Sequence, residues 1–284
     1  MKKVSNKPVI GNPSYPYLIA SDLDGTLIIH KGDETNPNDT LPPEFFEVLD
    51  KLNKKGIYFC AATGRSLPHV RGQFVDHTDQ ICCMVENGAM LYSGGKRLNT
   101  ISIPRELVEE LVEGCIYKRN DCVASIRTTE TVYYRVKNED EADLMRSWEH
   151  PYATSAYSFD MIKGDITMVT AVSFKEIEPI AKELIPIWKD RIGVCVAGIH
   201  WLDFSFASKG VGLARLCDIL GVPIENSFAF GDNFNDAPML ETAGTSYIMA
   251  SAAPDLLERF PLHTNNALET IRELAEILPE YKKK

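Results

Sequence analysis

The chain reads as an α/β protein, a Rossmann-like parallel-sheet core with an α+β cap domain inserted into it. Three observations point there. Short continuous apolar runs alternate with amphipathic helices at both ends of the sequence. Several of these runs close in a polar, glycine-bearing loop, which is where open parallel sheets bind ligands. Between residues 90 and 205 the rhythm changes to helices and hairpins, as in an open antiparallel sheet covered by helices. At 284 residues and 44% hydrophobic content the chain has material for two cores. The expected division is an N-terminal arm over 1–16, a core over 17–89 and 206–284, and an insert over 90–205.

The elements follow in order. Pro8, Gly11, Pro13 and Pro16 make the first sixteen residues a surface arm. Tyr17-Leu18-Ile19-Ala20 is a strand buried on both faces, and it runs into Ser21-Asp22-Leu23-Asp24-Gly25-Thr26. Pro42 and Pro43 open a helix on Phe45, Val48, Leu49 and Leu52 that stops at Gly56. Ile57 to Ala62 is the next strand, leading to Thr63-Gly64-Arg65, so strand, helix and strand make a right-handed parallel crossover. A third strand, Ile81 to Val85, closes on Glu86-Asn87-Gly88.

In the insert, Leu107, Val108, Leu111, Val112 and Cys115 mark a helix, and Cys122–Arg127 with Thr131–Val136 a hairpin. Asn138 and Glu141 form a capping box for a helix reaching Glu149. A strand over Ile166–Phe174, a helix over Ile177–Lys189 and strands over Ile192–Ala197 and His200–Phe206 complete it. The parallel rhythm resumes with a helix on Leu213, Leu216, Cys217 and Leu220, ending at Gly221. The strand Phe228-Ala229-Phe230 then enters Gly231-Asp232.

A formal charge of −10 argues against nucleic-acid or anionic-membrane partners. No membrane-length apolar run and no signal peptide is visible, because Lys2 and Lys3 precede a polar, proline-broken segment; a cytoplasmic location is the expectation. Seven cysteines without a Cys-x-x-Cys pair read as buried reduced thiols. The six histidines have no ligand spacing, and His69 reads as a surface or core residue, with contact to substrate as the alternative. Lys282-Lys283-Lys284 reads as a frayed end.

Asp22-x-Asp24-Gly25-Thr26 sets two carboxylates at the mouth of the sheet, a pattern that arises by chance on the order of once per hundred thousand positions. The bland alternative is a turn that caps the next helix. Phosphate-ester hydrolysis needs a nucleophile, an acid for the leaving oxygen and positive charge on the transferring group. Asp22 suits the first role. Asp24 suits the second, protonating the leaving alkoxide and then deprotonating the water. Carboxylates in this number call for a hard cation such as Mg²⁺, with Asp232 as a further ligand. Asn235 and Asp236 read as support for the metal or as an N-cap pair. Thr63 offers a hydroxyl donor beside Gly64, or a helix cap. Lys209, at a helix start, faces an anion or, taken alone, solvent.

Asp22-x-Asp24-Gly25-Thr26, Thr63-Gly64-Arg65, Ser208-Lys209-Gly210 and Gly231-Asp232-x-x-Asn235-Asp236, in that order, resemble the four motifs of the haloacid dehalogenase superfamily. The large insert after the second motif, preceded by Asn87-Gly88-Ala89, is similar to the Cof-like, type IIB sugar-phosphatase branch. The resemblance implies a Mg²⁺-dependent phosphatase with an aspartyl-phosphate intermediate on Asp22, acting on small phosphorylated metabolites, sugar phosphates foremost. It implies metal ligation by Asp22, Asp232 and the backbone carbonyl of Asp24, and phosphoryl binding by Thr63 and Lys209. Asn235 and Asp236 support the site, Arg65 and Asn87 line the approach to a mobile cap, and Gly64 and Asn235 belong to the substrate-binding set. Arg119, Arg127, Arg135, Lys137 and Lys163 in the insert read as solvated charges, with a substrate role as the alternative. A phosphomannomutase-like phosphotransferase and a non-catalytic phosphometabolite-binding module are the competing functions.

Overall fold

The computed structural model describes residues 10–29, 40–148 and 153–282. Residues 1–9 of the expected arm, Glu149 at the expected helix end, and Lys283 and Lys284 lie outside them. The chain divides into two compact units, Met1–Asn99 with Ser208–Lys284, and Thr100–Ala207.

In the first unit β1 (Leu18–Ser21) is buried throughout. The helix α1 (Glu44–Lys54) starts directly after Pro42-Pro43 and buries Phe45, Val48, Leu49 and Leu52, the apolar stripe of its sequence. After β2 (Tyr58–Ala62) comes α2 (Leu67–Phe74), absent from the sequence reading because it turns only Val70 and Phe74 inward, too few residues for a periodic signal. Next are β3 (Cys82–Val85), β4 (Met90–Ser93) and β5 (Lys96–Thr100). Because β4 pairs antiparallel with β3, setting Leu91 opposite Met84, residues 90–99 extend the core sheet. The insert expected from residue 90 therefore begins after Asn99. Burial explains the shift: Met90 and Tyr92 join the apolar cluster on one face of the core sheet and Leu91 the cluster on the other.

The second unit opens with α3 (Arg105–Leu111), which continues into a π-helical turn over Val112–Ile116. The hairpin of β6 (Cys122–Thr128) and β7 (Val132–Arg135) is closed by Thr128 Oγ1, which accepts from the N–H groups of Glu130 (3.2 Å) and Thr131 (3.1 Å). At α4 (Glu139–Trp148), Asn138 Oδ1 accepts from Glu141 N–H at 2.9 Å, while Glu141 Oε2 accepts from Lys137 N–H at 2.8 Å. The expected capping box thus reaches back one residue further than its simplest form. Then follow β8 (Thr154–Ala156), β9 (Ile166–Ser173), α5 (Glu178–Trp188), β10 (Gly193–Val196) and β11 (Trp201–Ser205).

The sheet order is β10-β11-β9-β6-β7-β8, antiparallel except for the parallel pair β7–β8. Residues of α3 and α5, among them Leu111, Leu184 and Trp188, pack on one face, and Ala142 and Met145 of α4 on the other. Arg135 is not a solvated charge. It is buried, donates to Glu113 at 2.6 and 3.2 Å, and lies 3.9 Å over the Tyr117 ring. Arg119 is held by Asp121 and Glu183.

The chain returns to the first unit with α6 (Lys209–Leu220), capped by Ser208 Oγ, and β12 (Ser227–Gly231). It ends through α7 (Ala237–Thr242), β13 (Thr245–Met249), α8 (Pro254–Arg259), β14 (His263–Thr264) and α9 (Ala267–Ile277). The core sheet runs β14-β13-β12-β1-β2-β3-β4-β5, parallel from β14 to β3. Residues of α1, α2 and α9 pack on one face and those of α6, α7 and α8 on the other, the doubly wound arrangement of an α/β domain. Since β12, β1, β2 and β3 are neighbours, the loops after Gly231, Ser21, Ala62 and Val85 emerge side by side.

The described part of the arm is tied down by buried Asn226, which accepts from Asn12 N–H at 2.7 Å and donates to the carbonyls of Asn12 (2.8 Å) and Pro16 (3.1 Å). Of the seven free thiols, Cys60, Cys82, Cys83, Cys122 and Cys217 are buried and Cys195 is exposed, against the expectation of burial throughout. No helix among the described residues is long and apolar enough to cross a membrane.

Candidate active site

Asp22 directly follows β1, and its N–H donates to Phe230 O at 2.9 Å, which pins the β1 loop to β12. Leu23, Leu27 and Ile28 anchor this loop in the core, and the N–H of Gly25 donates to Ile28 O at 2.9 Å to close it as a compact turn. Gly25 is needed here on two counts. Its φ is +77°, and a Cβ would lie 2.4 Å from Asp232 Oδ2, so only glycine lets the first loop approach the fourth. Thr26 Oγ1 donates to Asp232 Oδ1 at 3.1 Å.

Asp22, Asp232 and Asp236 converge: one carboxylate oxygen from each lies within 4.8 Å of the others. Lys209, at the first position of α6, is fully buried rather than solvated, and its Nζ lies 2.5 Å from Asp22 Oδ1 and 2.5 Å from Asp236 Oδ1. The other oxygen of Asp236 accepts from the N–H groups of Asp232 and Asn233, both at 3.0 Å. Asp236 therefore makes no side-chain cap for α7; it braces the Asp232 loop and orients Lys209.

Burial pushes the Asp22 carboxyl up to about 8, with the Asp236 and Asp232 charges adding to the push and Lys209 opposing it. Burial, then the charge of Asp236, also raises Asp232. Desolvation works against the Lys209 ammonium, but Asp22 and Asp236 outweigh it and hold its pKa above the ordinary lysine range. Three carboxylates around one ammonium leave negative charge uncompensated in a desolvated space. With Asp236 committed to its donors, the oxygens of Asp22 and Asp232 remain as a hard donor set, which fits a small divalent cation.

The carboxylate of Asp24 lies outside this group. Arg65 donates to both its oxygens, Nε to Oδ2 at 2.7 Å and Nη2 to Oδ1 at 2.5 Å. Thr63, buried at the end of β2, accepts from Arg65 N–H through Oγ1 at 3.0 Å, which leaves its hydroxyl hydrogen to donate; the cap position of α2 belongs to Ser66. Asn87 N–H donates to Thr63 O at 3.0 Å, and Asn87 Oδ1 accepts from Asn235 Nδ2 at 3.3 Å. A Cβ on Gly64 would stand 3.3 Å from that same Asn87 oxygen, so Gly64 lets the two loops close up. His69 lies on the surface, its Nδ1 3.0 Å from Ser66 Oγ.

The candidate residues thus fall into three touching sets: Asp22, Asp232, Asp236 and Lys209; Asp24 with Arg65; and Thr63, Gly64, Asn87 and Asn235. Sequence reasoning left out Thr26, whose hydroxyl donates to Asp232; its place as the last residue of the first motif was the available signal. The Arg65 grip on Asp24 had no sequence signal, since residues 41 apart meet only through adjacent strand ends.

Residues 19–269 match the family described as haloacid dehalogenase-like hydrolase. The 5-amino-6-(5-phospho-D-ribitylamino)uracil phosphatase YitU of Bacillus subtilis is 29% identical over 248 residues, 83% of this chain and 87% of that protein. Among solved structures, the phosphatase BT1666 of Bacteroides thetaiotaomicron superposes with a TM-score of 0.74 at 19% identity, covering 96% of this chain and 98% of its own. The subclass IIB sugar phosphatase BT4131 gives a TM-score of 0.69 at 19% identity, covering 92% and 98%. The chain belongs to the haloacid dehalogenase-like hydrolases.

Proposed function

We propose that this hydrolase is a Mg²⁺-dependent phosphatase that cleaves small phosphate monoesters through an aspartyl-phosphate on Asp22. The observation that carries the reading is the buried contact of Lys209 Nζ with Asp22 Oδ1 at 2.5 Å, beside the carboxylate of Asp232. Asp22 and Asp232, with the backbone carbonyl of Asp24, would hold Mg²⁺. When bound, the ion offsets carboxylate charge and polarises a phosphoryl oxygen.

In the first half-reaction an Asp22 oxygen bonds to phosphorus as the ester P–O bond breaks, and Asp24 protonates the leaving alkoxide. In the second, Asp24 takes a proton from water, whose oxygen bonds to phosphorus while the Asp22–phosphorus link breaks. Lys209 and Thr63, supported by Asn235 and Asp236, hold the phosphoryl oxygens, and Gly64 lets the backbone approach them. The insert is read as the domain that selects the leaving group. Small phosphorylated metabolites are the substrate class, as for the ribitylaminouracil phosphatase and sugar phosphatase relatives.

The test is phosphate release from a panel of sugar, nucleotide and aryl phosphates, with and without Mg²⁺. Release that requires Mg²⁺ and disappears in Asp22→Asn, with radiolabel from substrate recovered on acid-quenched protein, supports the mechanism. Undiminished turnover in Asp22→Asn ends it.

A further inference from the structure

Arg65 stands in the second motif, where a substrate role would have its guanidinium facing an incoming anion. Instead two of its nitrogens are spent on the two oxygens of Asp24, at 2.7 and 2.5 Å, and the pair is only partly exposed, 19% for the Arg65 side chain and 26% for that of Asp24. A bidentate guanidinium–carboxylate pair fixes both side-chain torsions of the carboxylate, which a single-point contact cannot do. Asp24 lies on a turn at the end of β1 and Arg65 beyond the end of β2, so this pair ties the acid/base carboxylate to a neighbouring strand.

The backbone of Arg65 is itself held at both ends. Its N–H donates to Thr63 Oγ1 at 3.0 Å, and its carbonyl accepts from Glu86 N–H at 3.1 Å. That second bond, with the neighbouring Asn87 N–H to Thr63 O bond at 3.0 Å, comes from two consecutive non-glycine residues in the left-handed region, Glu86 at φ +52° and Asn87 at φ +54°. Backbone strain of this kind persists only where surrounding structure enforces it, and it concentrates at sites that need fixed geometry. The strained turn also packs against the helix that carries Lys209, with Gly88 so close to Ser208 O that a Cβ would stand at 2.6 Å.

We infer that Arg65 is a positioning residue: it fixes the side chain of Asp24, the acid/base group, from a loop locked by the left-handed Glu86–Asn87 turn, and is not primarily a ligand of substrate. The inference rests on the acid/base reading of Asp24 given above. Cationic contact with substrate lowers KM, whereas aim of the proton-transfer group is expressed in kcat, most strongly for leaving groups that cannot depart without a proton.

The experiment compares Arg65→Met, Arg65→Lys and Asp24→Asn with the parent chain in Mg²⁺, on 4-nitrophenyl phosphate and on an alkyl phosphate, glycerol 3-phosphate. The expected result is a kcat loss in Arg65→Met on the order of a hundredfold for the alkyl ester. That loss exceeds the one on the nitrophenyl ester by at least about tenfold, and KM moves less than about threefold on either. Arg65→Lys keeps the charge without the two-point grip and is expected to show the same leaving-group pattern.

A rise in KM with kcat retained, equal kcat losses on both esters, or faster turnover of the alkyl ester overturns the inference. Full rescue by Arg65→Lys does the same. Asp24→Asn separates the two levels. If it is leaving-group-dependent while Arg65→Met is not, only the positioning role of Arg65 fails; if it has no leaving-group dependence, the acid/base reading and this inference fall together.

Discussion

Lys209 Nζ lies 2.5 Å from Asp236 Oδ1, and neither side chain is exposed to solvent. This places a full ion pair in the core of the site, with Asp22 as its third member. A buried pair is costly to break because the surviving charge has no solvent. Lys209→Met is therefore expected to destabilise the fold by about 3–5 kcal/mol, as well as abolishing turnover. Urea unfolding measures the first effect and phosphate release the second; an equally stable variant contradicts the first and a fully active one the second.

Cation binding should stabilise the folded chain by mass action, because the unfolded chain does not hold Asp22 and Asp232 together. Mg²⁺ at about a hundredfold excess over its dissociation constant is expected to add about 2.7 kcal/mol to the unfolding free energy. In Asp232→Asn the increment should vanish. Thermal melts with and without Mg²⁺, which need no substrate, make the comparison.

The left-handed turn and α6 meet backbone to backbone. A Cβ on Gly212 would stand 2.9 Å from Gly88 Cα and 3.1 Å from Met84 Sδ, so Gly212→Ala is expected to cost about 1–3 kcal/mol by overpacking. Gly88→Ala should cost more, since it adds a side chain at φ +90° to a 2.6 Å approach on Ser208 O. Both should lower kcat, because Lys209 rides on the displaced helix. Denaturant melts paired with kinetics read this out.

Burial pushes the Cys82 thiol up to about 11 and those of Cys83, Cys122 and Cys217 up to about 12, from an ordinary value of 9.0. The folded chain thus binds these protons more tightly than the unfolded chain. Their contribution to stability is whole below pH 9.0 and is lost as pH rises through about 11 to 12. Unfolding free energy should fall across that window. At about pH 8 a thiol reagent should modify exposed Cys195 well ahead of the buried thiols; uniform labelling of all seven would contradict the burial.

Much of the core was legible in the chain because its signals are local. Continuous apolar runs such as Leu18-Ile19-Ala20 and Phe228-Ala229-Phe230 can only be buried strands, and each is followed at once by its polar loop. The stripe Phe45, Val48, Leu49, Leu52 predicted α1 because helical spacing and burial are the same fact seen twice. Where a segment turns few residues inward, as α2 does, the pattern is too thin to see. The hairpin of β4 and β5 failed differently. Residues 90–99 read as part of the insert because nothing in Met90-Leu91-Tyr92 says which sheet will bury them.

The amino-acid order by itself determined the fold class, the strand-end positions of Asp22, Thr63 and Asp232, the capping pair of α4 and the end of α6 at Gly221, since apolar periodicity and turn chemistry act within a few residues. Only the tertiary structure decided the partners of the charged groups. Lys209 reads as a phosphoryl ligand, or taken alone as a solvated charge, and is buried between two aspartates. Asp236 reads as support for the metal or as part of an N-cap pair and braces the Asp232 loop, and Arg65 reads as a substrate ligand and holds Asp24. Those pairings span tens to hundreds of residues and depend on which strands lie side by side and which way each side chain leaves its backbone, and neither is written in local spacing.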